Sequence, residues 1–572
     1  MARTDARRPP AGDDSPFDPI SLEIMWSRLI NIAEECWVTI LRTAFSTIIG
    51  EAQDFGCEVL DADAESIAHS PRSMPVFNLS LPLAVRYMLR AYPKETLREG
   101  DVLVTNDPWM CAGHLYDLAV VTPVFRRDRL VALVGSIAHA SDIGGTRDSL
   151  NAREVYDEGL QIPPLKLYRR GELNGDLMAM IGANVRRPEM VLGDIQAQVS
   201  SNRIGAERLL GFMDEYGLDS LAALAHTVQS RAEQAMRDAI RAVPDGTYRS
   251  EVWYDGLDEP LRLPCAVAVA GDEITVDFTG APPQLPRGGM NCTYHYTAAH
   301  TTYALKSILT PEIRSNAGCY RPFHVIAPEG SVLNCRHPAS VNERTHTGWY
   351  LGPAVFRALA DVLPEQVQAF TGLPIGMGSY GRDAEGRPFN DHLFQGGGQG
   401  ASAHGDGKSA LLYPTSAANV SVEMFESRAP LVVECKELIA DSGGPGRYRG
   451  GLGQRVRIRL RRPSPNPVLV DFRPHGMLVS TPGLHGGLPG RRARAFVVED
   501  GKVREASATV GVAELRGTAE RATIEIAGGS GFGDPAARPA AEIQADLDNG
   551  YVSADGAGPY GAAVDRDGTV KR

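Results

Sequence analysis

The chain has 572 residues, 43% of them apolar and 22% charged, which is too long for one ordinary domain and rich enough for sizeable cores. Its net charge of −12 argues against nucleic acid as the main partner, because phosphate binding needs a basic face. No apolar run reaches the ~18 residues of a membrane helix, and no apolar segment follows the early arginines as in a secretion signal, so a cytoplasmic protein is expected.

Residues 1–16 read as a disordered leader. Asp18-Pro19 then opens a helix, with aspartate as cap and proline in the first turn, and apolar residues recur at helical spacing through Thr43. The period breaks at Gly50. Phe55–Leu60 reads as a short strand and Asp61–Glu65 as a turn, so Glu51 and Asp54 fall on a helix-to-strand connection, where functional side chains are often presented. Leu81–Tyr92 is predicted as a second helix and Asp101–Thr105 as a buried strand.

The stretch N-D-P-W-M-C-A-G-H-L-Y-D, from Asn106 to Asp117, carries an H-x-x-D pair, His114 and Asp117. Leu118–Phe125 and Leu130–Ala138 follow as strands around the charged turn Arg126–Arg129, a predicted hairpin. His139 comes directly after the second strand. A hairpin brings its two ends together, so His114, Asp117 and His139 are expected in one place. With Glu51 they supply two nitrogens and two oxygens, a set that suits Zn, Mn or Fe.

Helical periodicity dominates Asp176–Val243, with a break at Gly217. Val252–Tyr254, Ala266–Ala270 and Ile274–Phe278 read as antiparallel strands, and Ala298–Ile308 and Pro353–Val362 as helices. From Leu411 strands return: Leu431–Glu434, Arg455–Arg461, Leu469–Phe472, Ala495–Val498 and Ala522–Ile526, in a sandwich-like or barrel-like portion. The expected fold class is α+β, a multidomain mixed chain. Its parts are a metal-site region at 17–175, a helical segment at 176–245, a mixed region at 246–410, a β-rich region at 411–535 and a tail at 536–572.

Other motifs carry less. G-D-G-K-S at Gly405–Ser409 lacks the first glycine of a phosphate loop, Ser402 standing in its place, and reads as a loop. F-Q-G-G-G-Q-G at Phe394–Gly400 reads as a turn or a backbone nest for an anion. Eight cysteines without a C-x-x-C pair read as reduced, mostly buried thiols, Cys111 among them.

D-P-I-S-L-E-I, E-A-Q-D-F-G-C, N-D-P-x4-G-H-L-Y-D, A-H-A-S-D-I-G-G, E-G-L-Q-I-P-P-L-K-L, N-A-G-C-Y-R-P and D-S-G-G-P-G-R-Y-R-G-G-L-G-Q resemble the hydantoinase B/oxoprolinase family, in order, as far as Gly529–Pro535. The resemblance implies an ATP-dependent amidohydrolase subunit that opens a cyclic amide (hydantoin, 5-oxoproline or lactam). It implies a partner, an A-type subunit of the actin-like ATPase class that binds ATP. It also implies a divalent metal held by Glu51, His114, Asp117 and His139, with Asp54 as the alternative to Glu51. Asp54 or Asp142 is the expected general base or support for a ligand histidine. Many relatives show A-H-H-A-D where this chain has A-H-A-S-D, so Ala140 replaces a histidine. The alternatives are a ketone carboxylase subunit, whose metal holds an enolate, and a non-catalytic scaffold for an ATPase.

Overall fold

The computed structural model describes residues 16–147, 149–471, 474–480, 482–506 and 511–571. The leader expected over residues 1–16 lies outside the described residues save Pro16, as does Phe472 at the end of one expected strand. The fold is a mixed, multi-sheet α+β architecture. Among the described residues no helix is long and apolar enough to cross a membrane.

Helix α1 (Pro19–Thr43) starts where the Asp18 carboxylate accepts from the backbone N–H groups of Ile20 and Ser21. A short α2 (Thr47–Gly50) leads into β1 (Phe55–Asp61) and β2 (Ser66–His69). Helix α3 (Pro75–Ala91) begins before the expected Leu81. Proline fits a helix start because it has no N–H to pair, so Pro82 looks like one in the sequence. Pro75 is the actual start, and Pro82 lies within the helix.

Strands β3 (Val102–Thr105), β4 (Asp117–Arg126) and β5 (Arg129–His139) follow. After α4 (Val155–Glu158) come β6 (Leu165–Arg169) and β7 (Glu172–Leu173). They complete a seven-stranded sheet of order β2-β1-β5-β4-β3-β6-β7. The β4–β5 hairpin turns on Arg127 and Asp128, both left-handed at φ 50° and 62°, as a tight two-residue turn requires. Its register sets Asp117 directly opposite His139.

Helices α5 (Gly175–Asn184), α6 (Pro188–Glu215) and α7 (Ala222–Arg241) divide the helical stretch at Pro188 as well as near Gly217. One sheet face packs Cys57, Val59 and Val134 against α1 and its neighbours. There α6 crosses α1 closely: a Cβ on Gly205 would lie 2.4 Å from the Cys36 sulfur. The other face packs Leu60, Leu133 and Ile137 against α3.

A second sheet holds β8 (Gly246–Tyr254), β9 (Leu261–Ala270), β10 (Glu273–Asp277) and, parallel to β10, β11 (Phe323–Ile326). Between β10 and β11 lies α8 (Tyr294–Leu309), which adds Tyr296 and Ala299 to the α3 core. The short α9 (Thr345–Gly348) and α10 (Leu351–Leu359) follow.

Strands β12 (Ile375–Arg382), β13 (Pro388–Gln395), β14 (Leu431–Leu438), β15 (Gln454–Leu460), β16 (Val468–Asp471), β17 (Arg494–Glu499), β18 (Lys502–Glu505), β19 (Val512–Leu515) and β20 (Arg521–Glu525) form two sheets. Their orders are β13-β12-β16-β19 and β14-β15-β20-β17-β18. Residues of both, such as Val470, Leu515, Ile458 and Ile524, share one core, which makes this part a sandwich and not a barrel.

The glycine clusters do something else. Gly451 N–H donates to Gln399 O (2.8 Å), Gly529 N–H to Gly451 O (2.9 Å) and Gly444 N–H to Gly529 O (2.7 Å). A Cβ on Gly398 would lie 1.8 Å from the Gly451 oxygen, and one on Gly450 1.9 Å from the Gly529 oxygen. Segments distant in sequence thus pack backbone on backbone with no room for side chains. The G-G-G run is a packing element, where the sequence suggested a turn or a nest. G-D-G-K-S is an irregular loop, as expected.

Candidate metal centre

The hairpin ends meet as the sequence suggested. His114 Nε2 lies 2.9 Å from Asp117 Oδ1, and His139 Nδ1 lies 3.3 Å from the same oxygen. One ligand atom from each of the three residues lies within 4.8 Å of the others. Asp54 comes from the connection ahead of β1, with Oδ2 3.7 Å from His139 Nδ1. β1 pairs with β5, and His139 N–H donates to Asp54 O (3.1 Å), so the sheet itself places Asp54 beside His139.

The donor atoms are buried and mutually unsatisfied. Among the described residues, His114 Nε2, Asp117 Oδ1 and Asp54 Oδ1 have no hydrogen-bond partner, although the first two approach closely. Buried polar atoms are nearly always paired, and lone pairs converging without hydrogen-bond geometry are what a cation would satisfy. The residues present therefore fit a divalent metal.

Their surroundings hold them in ligand form. The Asn342 carbonyl lies 3.4 Å from His114 Nδ1, which assigns the ring proton to Nδ1 and leaves Nε2 a lone pair. Burial, then the Arg344 charge, pushes the His114 imidazole down to about 4, so it is neutral near pH 7. Burial opposes ionisation of Asp117, but the Arg344 guanidinium paired with it outweighs burial and holds the carboxyl well below the usual range. Burial raises Asp54 to about 6, partly offset by His139.

Arg344 is the part the sequence did not announce. Its Nη2 donates to Asp117 Oδ2 at 2.6 Å, its Nε to Ala112 O at 2.7 Å, and its guanidinium carbon lies 4.4 Å from the Tyr296 ring centroid. It fastens one Asp117 oxygen and leaves the other for the cluster. Glu158, also unforeseen, accepts from the N–H groups of Val341 and Asn342 and so ties down the segment that carries Asn342 and Arg344. No spacing links residues so far apart in the chain.

Two expected residues lie differently. Glu51, half-buried at the end of α2, does not line the cavity, whereas Asp54 does; neither belongs to the tightly clustered group of His114, Asp117 and His139. Between the two carboxylates the chain turns at Gln53 (φ 60°), and Asp54 leads into β1. Asp142 is fully buried but binds Arg147, Arg186 and the Gly144 N–H. A carboxylate whose lone pairs face two guanidiniums is neither a free base nor a support for a ligand histidine. Ala140 is buried in a separate apolar cluster with Val102 and Ile162. Cys111 is buried with its thiol pushed well up, first by burial, and is no nucleophile.

The cluster opens on a cavity of about 200 Å³ whose mixed polar and apolar wall includes the aromatic rings of Phe77, Tyr116, Tyr296, Trp349 and Tyr380. The Tyr116 ring stacks on His139 at 5.1 Å between centroids. This enclosure suits a small ring and not a polymer.

Fold and site together define a class: an α+β protein with two imidazoles and two carboxylates gathered where strands of one antiparallel sheet end, His139 partly exposed and the rest buried, facing a small cavity. The chain belongs to the hydantoinase B/oxoprolinase family, which it matches over residues 18–535. It is 30% identical to the caprolactamase subunit beta of Pseudomonas jessenii over 581 residues, covering 97% of both chains. It is 29% identical to 5-oxoprolinase 1 of Arabidopsis thaliana over 523 residues, spanning 85% of this chain and 40% of that protein. The crystal structure of the ATP-dependent caprolactamase of Pseudomonas jessenii superposes with a TM-score of 0.88 at 28% identity, covering 97% of this chain and 98% of that one. Acetone carboxylase shares the fold, with a TM-score of 0.88 at 19% identity over 97% of this chain and 81% of that one.

Proposed function

We propose that this chain is the B-type subunit of an ATP-dependent amidohydrolase that opens a cyclic amide, a hydantoin, 5-oxoproline or a lactam, with Asp54, His114, Asp117 and His139 as a Zn, Mn or Fe centre. The observation that carries the metal assignment is the convergence of buried, unpartnered donor atoms at the hairpin ends. Asp54 replaces Glu51 as the fourth ligand because it lies beside His139. The substrate class is supported by relatives named as caprolactamase and 5-oxoprolinase. The ATP dependence of the caprolactamase whose structure superposes on this chain supports a partner, an A-type subunit of the actin-like ATPase class, that binds ATP and phosphorylates the carbonyl oxygen.

Lactam resonance makes direct hydrolysis slow. With the carbonyl oxygen phosphorylated the ring carbon becomes electrophilic, water adds there, and the C–N bond breaks with a proton passing to the ring nitrogen. A second water cleaves the resulting acyl phosphate to carboxylate and phosphate. A bound divalent ion would supply Lewis acidity and a water of lowered pKa at the cluster. The chain's own residues prepare the site. Arg344 orients Asp117, Asn342 fixes the His114 tautomer, and the aromatic walls hold a ring against the cluster and exclude bulk water.

The test is ATP-coupled turnover of a hydantoin, 5-oxoproline and lactam panel by the complex purified with its partner. Asp117→Ala is expected to reduce it to background. Full activity in that variant would remove the metal role, and turnover that needs a ketone and bicarbonate would replace hydrolysis by carboxylation.

A further inference from the structure

The metal cluster occupies one part of the cavity, and a second charged group reaches it from another element. Arg147 follows the A-H-A-S-D-I-G-G stretch and lines the same cavity as His114, Asp117 and His139. Its Nη2 donates to Asp142 Oδ1 (3.1 Å), and its guanidinium carbon lies 5.1 Å from the Tyr380 ring centroid. The Tyr380 hydroxyl donates to the Arg147 carbonyl (3.3 Å), which fixes the backbone there. The Arg147 Nε is buried and has no hydrogen-bond partner among the described residues.

The charge balance is uneven. Asp142 also receives Arg186 Nη1 at 2.9 Å and the Arg186 backbone N–H. One carboxylate thus serves two guanidiniums, which leaves a surplus of one positive charge in that group of three. Arg344, by contrast, is tied to Asp117 and the Ala112 carbonyl. Two further carboxylates, Glu343 and Asp471, line the cavity from other segments, and so does His392, whose imidazole burial, then Arg147, pushes down to about 3. A guanidinium with an unpartnered Nε–H at a cavity wall is matched by a planar or tetrahedral oxyanion.

We infer that Arg147 is an anion-binding residue of this cavity and takes an oxyanion of the bound ligand, either a carboxylate on the ring or the phosphoryl group of the activated amide. This rests on the cyclic-amide reading of the site and deepens it: the ligand presents its reacting carbon to the cluster and a negative group to Arg147.

Calorimetric titration tests it. The full-length chain, its Arg147→Gln and its Arg147→Lys variants are titrated with inorganic phosphate, 5-oxoproline and 2-pyrrolidone, which is the same ring without the carboxylate. Each titration is run as purified and after chelation, so that any metal contribution is separated. The wild type is expected to bind at least one anion after chelation. Its Kd should rise at least about tenfold in Arg147→Gln and severalfold in Arg147→Lys, which keeps the charge but loses the planar fork. Binding of 2-pyrrolidone should be the same in all three. An effect on 5-oxoproline alone assigns the carboxylate, and one on phosphate alone the phosphoryl group. Absence of anion binding by the wild type, or equal affinities in wild type and Arg147→Gln, overturns the inference. Should Arg147→Gln not fold, equal affinities in wild type and Arg147→Lys do the same. Failure of the metal reading shows separately, as active Asp117→Ala.

Discussion

Replacing Glu158 by glutamine should change how stability depends on pH. Glu158 ends α4 with 2% of its surface exposed. Its carboxylate oxygens accept from Val341 N–H at 2.8 and 3.0 Å and from Asn342 N–H at 2.8 Å. Burial nevertheless raises the carboxyl from 4.5 to about 7, the backbone donors offsetting it only in part. The sign follows from proton counting. Below pH 4.5 both folded and unfolded chains hold this proton, and Glu158 adds no pH dependence. Between 4.5 and 7 the unfolded chain releases it while the folded chain keeps it, so wild-type stability falls as pH rises. Above 7 both are ionised and the loss is complete. The total is on the order of 3 kcal/mol. A glutamine side chain does not titrate and keeps an acceptor for Val341 and Asn342. Urea unfolding followed by tryptophan fluorescence at pH 4.5, 6 and 8 checks this. Glu158→Gln should gain on the wild type by a few kcal/mol across that range. A pH-independent difference, or a wild type that gains as pH rises, would refute the assignment.

Arg344→Gln should destabilise the chain by about 3–5 kcal/mol, because Asp117 is left buried without its cation, the two side chains being 5% and 0% exposed. A loss under about 1 kcal/mol in the same urea assay would contradict a buried pair. Gly398→Ala should give insoluble protein or a loss of several kcal/mol, since its Cβ would lie 1.8 Å from a backbone oxygen. Gly405→Ala, with nothing within 4 Å, should leave the unfolding midpoint near the wild type and serves as the control.

Local chemistry was legible where it was continuous in the chain. Asp18-Pro19 announced α1 because a cap and a proline act within one turn. The apolar runs around Arg126–Arg129 announced the hairpin, and the hairpin carried His114, Asp117 and His139 together. That Asp54 and not Glu51 lies beside His139 was not legible, since both stand on one short connection and only the pairing of β1 with β5 separates them. Arg344 and Glu158 were invisible for another reason. Each acts on a residue far away in sequence, and no periodicity records a pairing that only tertiary packing creates. Asp142 misled because an acid beside a ligand histidine resembles a base until its two arginines are seen. The β12–β13 hairpin was hidden by glycines, which weaken the alternation that marks a strand.

Elemental analysis of the purified chain, with Asp117→Ala beside it, bears most directly on the metal centre. About one equivalent of Zn, Mn or Fe per wild-type chain is expected, with little or none in an Asp117→Ala chain that keeps the wild-type circular dichroism. A wild-type chain that holds no stoichiometric metal even after supplementation, or an Asp117→Ala chain that holds as much, would contradict the centre and favour a scaffold role.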